Sequence, residues 1–556
     1  MATRSSQPHA SDRPSAMQTL RRLYVYAVSG ATLVIAAIGA TNLLGLGLDA
    51  LFTAISGEEW IQGGPDWERE RLSLSIPFIA IATPIWYLHW RMAQRAVHGD
   101  DAVTERRSVV RSACFTLLFL IAALIVSLSL ESTVDLALRD LLGEPLPDYQ
   151  RDRVVDDLAT VIVVAAVWLF HLRTYIGDVH AETTEVRQLV LPQAAIYVIG
   201  AVAAILMLFG LSDLLRLAVD ALTDADHTDR WWKDALANDA SRAITGGLLW
   251  GAHWQLGRRL LAGSSWWGRS EWGAGIRRLY LVAMVLATGL VTLIFLAQTI
   301  DGLAGVALEV GVRPGESRLA TILRPLAATL PFVALWLVHR HWLYNEPEEA
   351  GHGIAPVTVD RIFGYAMASL GLLLACAGLA TLLGEVGQEL AGDDHWRRDI
   401  GWPLGIAIAG GATWAWYWIA TRRRLASAPE AEQASTARRA YLLVVLGGAI
   451  VALVVGLAMT IYQVMQEILG VAGETGLASE IALPIGITLV TVAVTAYHGV
   501  LLRRDVAVRE LIEREDAAMA TEARIGLTLT GPRDGDIAAV VETLRRHLPE
   551  GYRLER

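Results

Sequence analysis

Histidines recur in this sequence at nearly constant intervals, each close to the end of an apolar run. Imidazole is used in proteins as an axial ligand of haem and as a proton carrier near neutral pH. Several histidines at one depth of a membrane would therefore suit a haem or chlorin site, or a proton relay. The six repeated positions are separated by 82, 82, 86, 78 and 81 residues. They are His89, His171, His253, His339, Tyr417 and His498.

A tryptophan stands three residues before five of the six positions, as in Trp86-Tyr-Leu-His89. An offset of three puts the indole and the imidazole on one face of a helix. Tryptophan and arginine at the end of an apolar helix are also typical of a membrane interface, where the ring lies among headgroups and the cation reaches water. The position at the helix end favours this second interpretation, an interfacial anchor, over a ligand site.

The elements that carry these residues are apolar helices. Of the 556 residues, 54% are hydrophobic, and the mean hydropathy is +0.40. Apolar runs alternate with charged segments, which is the pattern of a polytopic α-helical membrane protein. Repetition at a fixed period determines architecture, and here it predicts six parallel two-helix units of about 80 residues within a membrane domain, 18–505. The units are 18–100, 101–185, 186–270, 271–352, 353–432 and 433–505.

We therefore expect an all-α integral membrane protein with twelve transmembrane helices. The weakest of them is 241–257, which has about fourteen apolar or small residues where a span normally needs roughly 20. The repeat still predicts a span there, because Gly246-Gly247 match Gly410-Gly411 at the same offset from the histidine position.

Arg242 lies in this weak run and would need an acidic partner inside a membrane. Asp213 or Asp301 could supply it. An internal ion pair lining a polar cavity is the functional interpretation of these three residues. An arginine that extends to the interface without a function is the simpler one.

Charge asymmetry predicts the orientation of the helices. Residues 255–278 carry five arginines against one acid, whereas 213–239 carry seven acids against three basic residues. The positive-inside rule then places both termini in the cytoplasm, with the lipid bilayer as the environment of the helices. The net charge of −10 argues against a nucleic-acid partner.

The two ends of the chain differ from the rest. Residues 1–17 are polar and predict a disordered tail. Residues 506–556 predict a cytoplasmic helix followed by a small β-α-β tail, with strands at 525–530 and near Tyr552 and a helix over 536–548. A tail this small buries little core alone, so we expect it to dock on the membrane domain or on a protein partner.

Two motifs carry a family resemblance. Arg21-Arg22-Leu-Tyr24 opens the first run, and Pro84-Ile-Trp86-Tyr-Leu-His89-Trp90-Arg91-Met-Ala-Gln94 closes the second. The sequence resembles the bacterial membrane family catalogued as domain of unknown function 5671, in several tandem copies over residues 20–505. The resemblance implies a polytopic membrane protein in the inner membrane of a bacterium, and no particular activity.

Three classes of function fit the sequence. Size, repetition and many spans favour a transport or permeation protein for an unidentified solute. The alternatives are a non-catalytic scaffold, sensor or assembly subunit, and a membrane protein that binds haem or chlorin through the histidines. We expect no other cofactor and no metal. No Walker loop, His-Glu-x-x-His or Gly-x-Ser-x-Gly motif occurs, so an enzyme has the least support.

Overall fold

The computed structural model describes thirteen stretches of the chain. They are 16–57, 64–99, 102–144, 148–182, 190–223, 231–262, 271–310, 317–345, 356–392, 396–433, 435–469, 476–520 and 537–548. These stretches are helices joined by short turns. No strand occurs among them.

The first six helices form what we call block 1. They are α1 (Ala16–Ser56), α2 (Gly64–Pro77), which passes through a π-helical turn (Phe78–Ala82) into α3 (Thr83–His98), α4 (Ala102–Arg106), α5 (Val109–Leu141) and α6 (Asp148–Ala181).

Block 2 consists of four long helices. They are α7 (Val190–Thr223), α8 (Trp231–Ala262), α9 (Glu271–Ala307) and α10 (Arg318–Asn345).

Block 3 has four long and two short helices, and one further helix follows it. They are α11 (Pro356–Leu390), α12 (Trp396–Asp399), α13 (Gly401–Ser427), α14 (Pro429–Gln433), α15 (Thr436–Ile468), α16 (Leu477–Ala520) and finally α17 (Ile537–His547).

Ten helices in the described part of the chain are long and apolar enough to cross a membrane, counting α2 and α3 as one. The chain is a multi-pass membrane protein. Ten rather than twelve is a correction to the sequence-based count, and it concerns α8 and α13. Both are helices in register with the repeat, but α8 carries Lys233, Asp239 and Arg242 in its first half, and α13 is rich in glycine and alanine. Neither helix is among the ten candidate spans.

The same two helices make close backbone contacts with their neighbours. A β-carbon added to Gly210 of α7 would lie 2.5 Å from the amide nitrogen of Ala243 in α8, and one added to Gly246 would overlap the amide of Met207. In block 3, a β-carbon on Gly378 would lie 2.5 Å from the Ala407 amide nitrogen of α13. Glycine permits this approach, which brings the two backbones into van der Waals contact.

Block 1 has the same crossing in a looser form. A β-carbon on Gly39 of α1 would come within 3.0 Å of Ile79 and Phe78, in the π-helical turn. Gly39, Gly210 and Gly378 hold equivalent positions in the three blocks. A π-helical turn widens the helix by one residue, and here it lies where α1 crosses.

Two aromatic cores fill the ends of blocks 1 and 2 at which the histidines lie. Phe115 and Phe119 of α5 and Tyr175 of α6 are fully buried in the first core. Tyr280 and Leu281 of α9 are buried in the second. Residues of α7 contribute to both, so neighbouring blocks share a continuous packed surface.

The chain divides into two compact units, 1–498 and 499–556. In the second unit, the predicted helix is present as Ile537–His547. The predicted β-α-β tail is a wrong prediction as far as the described residues go, because they are helical there and include no strand. The segments 525–530 and 549–556, where the strands were expected, lie outside the described residues, as do residues 1–15 of the predicted disordered tail.

The adjacent glycines of α8 provide a test of the close crossing. We expect Gly246→Ala to lower the unfolding temperature, because its methyl group would collide with the backbone of α7 and cost about 1–3 kcal/mol. Gly247→Ala is the matched control, since its β-carbon would meet only the flexible side chain of Met207, at 3.6 Å or more, and alanine is the better helix former. Thermal unfolding of the purified protein in detergent measures both. Equal effects of the two substitutions would contradict the crossing.

Candidate functional site

The repeated histidines lie at one end of the helical bundle, which we call the histidine end. The opposite end, which contains Asp213 and Asp301, is called the acidic end. His171, His253, His339 and His498 are buried, whereas His89 is half-buried.

All five imidazoles make the same local hydrogen bond. Their Nδ1 atoms lie 2.7–3.0 Å from the backbone carbonyl oxygen four residues earlier. A carbonyl oxygen only accepts, so Nδ1 carries the hydrogen and donates it. In a neutral imidazole, Nε2 is then the acceptor that faces the neighbouring helices.

One tryptophan packs against one histidine in each block. The ring centroids of Trp90 and His171 are 4.7 Å apart. The corresponding distances are 6.1 Å for Trp254 and His339, and 6.0 Å for Trp418 and His498. The contact joins the second helix of one hairpin to the second helix of the next hairpin. It therefore repeats every two hairpins.

In blocks 2 and 3 a tyrosine completes a hydrogen-bonded chain. The Tyr280 hydroxyl lies 3.1 Å from His339 Nε2, and the Trp250 indole nitrogen lies 3.3 Å from the same hydroxyl. The indole donates to the tyrosine oxygen, and the hydroxyl donates to the imidazole. Block 3 repeats this chain with Trp414, Tyr441 and His498, at 3.4 and 3.1 Å.

These hydrogen bonds bear on the haem hypothesis. Both ring nitrogens of His339 and of His498 are engaged, so ligation to iron would require the tyrosine bond to break first. In block 1, Cys114 stands at the position of Tyr280 and Tyr441. In block 2, Nε2 of His253 on α8 is buried without a hydrogen-bond partner among the described residues. Within the described stretches, no group of three histidine, cysteine, aspartate or glutamate side chains is placed to hold a metal ion.

A buried ion cluster accompanies the aromatic chain in block 1. Glu105 accepts hydrogen bonds from Arg22 Nε at 2.8 Å and from the Tyr26 hydroxyl at 3.1 Å. Arg111 donates to the Tyr26 oxygen at 2.8 Å and to Asp178 at 2.6 Å. Arg111 is only 1% exposed. The cluster thus joins α1, α4, α5 and α6.

Block 3 contains the same cluster with the same local spacing. Glu432 accepts from Arg361 Nε and from the Tyr365 hydroxyl, both at 2.8 Å, and Arg438 donates to the Tyr365 oxygen at 3.4 Å. In both blocks the tyrosine follows its arginine by four residues, and the second arginine follows the glutamate by six.

Block 2 has three of these four residue types in register. Tyr197, Glu271 and Arg277 match in sequence, but Gln193 takes the place of Arg22 and Arg361. Arg277 lies 4.5 Å from the centroid of the Trp254 ring, which is a cation–π distance. The positions that differ between the blocks are thus Gln193 in block 2 and Cys114 in block 1.

At the acidic end, the structure places Arg242 between two carboxylates. Arg242 lies 2.5 Å from Asp239 and 3.5 Å from Asp213, and Asp213 also pairs with Arg216 at 3.3 Å. Asp301 is not part of this network. Of the two acids proposed from sequence as partners of Arg242, only Asp213 pairs with it among the described residues.

Asp301 lines a cavity of about 560 Å³ at the acidic end, between blocks 2 and 3. Gln298, one turn away on α9, lies beside it, and Arg216 of α7 and Arg324 of α10 are in the wall. Arg324 pairs with Asp220. The cavity is open to the surface at this end.

The family matches of this chain coincide with the three blocks. The model described as Domain of unknown function (DUF5671) matches the chain three times, at residues 22–166, 193–334 and 361–493. The chain belongs to this family. Searches of the curated proteins and of the solved structures found no match to this chain.

Each DUF5671 match covers one block, that is, two of the 80-residue units. The aromatic contact and the ion cluster repeat with the same period. One DUF5671 copy thus corresponds to one block of four long helices, counting α2 and α3 as one. Each hairpin is half of such a copy. The sequence signal that could have shown this is the glutamate six residues before an arginine, which occurs at Glu105, Glu271 and Glu432 at the entry of every second hairpin.

The ion cluster predicts that Glu432→Gln strongly destabilises the protein. The substitution would leave the guanidinium of Arg361 without its buried partner, and breaking such a pair costs about 3–5 kcal/mol. Glu430→Gln, on the same short helix but exposed, should be nearly neutral. Thermal unfolding measures both variants, and a neutral Glu432→Gln would contradict the cluster.

The hydrogen-bonded chain of block 2 predicts a smaller effect of Tyr280→Phe. Loss of the hydroxyl leaves the buried His339 Nε2 and the Trp250 indole unpaired, at a cost of about 1–3 kcal/mol. Tyr24 is 58% exposed, so Tyr24→Phe is the control and should change stability little. If the two variants unfold at the same temperature, the hydrogen bonds of Tyr280 contribute nothing to stability.

Proposed function

We propose that this protein is of the transport type and binds a small solute in the acidic-end cavity. The observation that supports the proposal is the side chain of Asp301, which has no ion-pair or hydrogen-bond partner among the described residues. An unpaired carboxylate in a cavity between membrane helices is a default candidate for a binding group.

Comparison of the blocks explains why Asp301 is unpaired. The equivalent residue of block 1 is Asp135, which accepts a hydrogen bond from Arg139 four residues later at 2.9 Å. In block 2, the residue four positions after Asp301 is Gly305. The partner is thus missing from the sequence itself, while the acid is retained. A purely structural acid would be expected to keep its partner.

The cavity also depends on a glycine opposite this acid. A β-carbon added at Gly401 of α13 would collide with the Asp301 carboxylate. The carboxylate therefore rests against bare backbone of block 3. Any side chain at position 401 would displace Asp301 or fill part of the cavity.

The charges favour a solute that carries an ammonium group. Arg216 and Arg242 are balanced by Asp213 and Asp239, and Arg324 is balanced by Asp220. These pairs leave Asp301 as the uncompensated charge of the lining, so a cationic group is the complement. The guanidinium of Arg216 in the wall donates one hydrogen bond to Asp213 and has further N–H groups that can donate to a carboxylate, which would suit a small zwitterion.

An apolar layer lies beneath the cavity. Phe295, one turn before Gln298 on α9, is buried, and its ring lies 5.6 Å from that of Phe332. A solute in the cavity would have to pass this layer to cross the membrane. Transport would therefore require α9 and α10 to separate, whereas a sensor or scaffold would require no passage.

The scaffold or sensor function is the second candidate, and the packed aromatic cores support it. The orientation that we infer, with both termini in the cytoplasm of a bacterium and the protein in the inner membrane, is supported by the arginine-rich connections at the histidine end. The haem or chlorin alternative has less support, because two of the histidines donate and accept hydrogen bonds through both nitrogens.

A ligand screen tests the proposed site. The purified protein in lipid nanodiscs would be heated with ethanolamine, putrescine, glycine or arginine, and with acetate and glucose as compounds without ammonium. Binding at about 100 times the dissociation constant stabilises a protein by about 2.7 kcal/mol. We expect ammonium compounds to raise the unfolding temperature, and Asp301→Asn to abolish the shift.

Glu467→Gln is the matched control, since Glu467 is an exposed acid near the acidic end of α15, outside the cavity. No shift with any ammonium compound, or a shift that survives Asp301→Asn, would overturn the proposed site. Uptake of the stabilising compound into proteoliposomes then separates transport from sensing.

A further inference from the structure

A long groove runs between α11 and α15 in block 3. Two cavities follow one another along it, one of about 640 Å³ towards the histidine end and one of about 680 Å³ deeper between the helices. Neither cavity shares a residue with the acidic-end cavity, so the groove is independent of the proposed function.

The two cavities lie along the same helix faces. On α11 the wall passes through Ile362, Ala366 and Ser369, and continues through Leu373 and Ala377. These intervals of three and four residues keep one side of a helix. On α15 the wall likewise passes from Ala440 and Val444 to Gly448 and Val451. The two cavities are therefore parts of one groove.

The groove is open because two glycines of α15 face empty space. A β-carbon added at Gly447 or Gly448 would meet no atom within 4 Å. The equivalent residues of block 1 are Leu120 and Ile121. Bulky side chains thus occupy in block 1 the positions that are bare in block 3.

The lining changes from polar to apolar along the groove. Towards the histidine end it includes Arg361, Tyr365, Ser435 and Thr436, at the point where α15 begins. Deeper in the groove it consists of aliphatic side chains and glycines, with Thr381, Thr491 and Cys376 as the exceptions. Arg361 uses Nε for Glu432, and its two terminal nitrogens make no hydrogen bond among the described residues. These nitrogens and the hydroxyl groups at the rim suit a phosphate, and the apolar remainder suits a hydrocarbon chain.

We propose that this groove binds a phospholipid with an anionic headgroup, its phosphate at Arg361 and Thr436 and one acyl chain against Gly447 and Gly448. The membrane supplies this ligand at high concentration. From Tyr365 to Ala380 the groove is about 22 Å long at 1.5 Å per residue, which is more than half of the ~30 Å hydrocarbon layer. One acyl chain of a single leaflet fits that length.

The test uses the full-length protein after delipidation in detergent, with native mass spectrometry as the readout. The probes are palmitoyl-oleoyl-phosphatidylglycerol and palmitoyl-oleoyl-phosphatidylcholine. We expect one phosphatidylglycerol to bind more tightly than the others and more tightly than phosphatidylcholine. The double variant Gly447→Leu/Gly448→Ile, which copies the residues of block 1, should weaken that binding about tenfold or more, as loss of a few buried methylene contacts does.

Gly30→Leu is the control, because Gly30 also faces open space but lies on α1 in block 1. It should leave the tight site unchanged. The double variant fills empty space and replaces glycine with better helix formers, and the single variant Gly448→Ile serves if the double variant does not fold. An unchanged tight site in the filled variant, or equal affinity for the two lipids, would overturn the proposal.

Discussion

A carboxylate buried at the histidine end organises two of the three blocks. Glu105 in block 1 and Glu432 in block 3 each accept hydrogen bonds from an arginine and a tyrosine of the first helix. The tyrosine then receives a hydrogen bond from an arginine of the following hairpin. An ion removed from water needs every one of these partners. The cluster consequently fixes the position of the second hairpin relative to the first.

The aromatic contacts depend on the helix positions that this cluster fixes. Because Arg438 begins the third long helix of block 3 at a fixed place, Tyr441, one turn later, faces the histidine of the fourth helix. Cys114 stands at the same position after Arg111 in block 1. The tryptophan of the second helix closes the group from the other side. Among the described residues of the acidic end, no such cluster repeats. The ion pairs there differ between blocks, as Asp135 with Arg139 and the unpaired Asp301 illustrate.

Much of this arrangement could be predicted from the sequence. Apolar length and the spacing of the histidines indicate the helices and their common end, because a membrane permits only helices whose backbone is internally bonded. The sequence pattern indicated the hairpin as the repeated unit, because the histidine position recurs in every hairpin, whereas its partners recur in every second one. Contacts between helices far apart in sequence, such as Arg111 with Asp178, depend on which faces meet, and one sequence does not contain that information.

The count of spans could not be predicted for a related reason. Hydropathy measures transfer from water to lipid, but a helix that packs against its neighbour through glycine shields part of its surface from lipid. Helices α8 and α13 gain their stability from backbone contact at Gly246 and Gly410, so their sequences need fewer apolar residues. Register with the repeat correctly predicted a helix at α8 and at α13. It overestimated the number of membrane spans that the composition supports.

The differences between blocks locate function better than their similarities do. The glutamate, the tyrosine and the following arginine of the cluster recur in all three blocks in sequence, and they explain how a block is held together. Three sites break the pattern: Gly305 where block 1 has Arg139, Gly447-Gly448 where it has Leu120-Ile121, and Gln193 where it has Arg22. The first two remove side chains and leave a cavity or a groove beside the change. A chain that repeats one fold three times can keep the frame in every copy and bind different molecules where single side chains are lost.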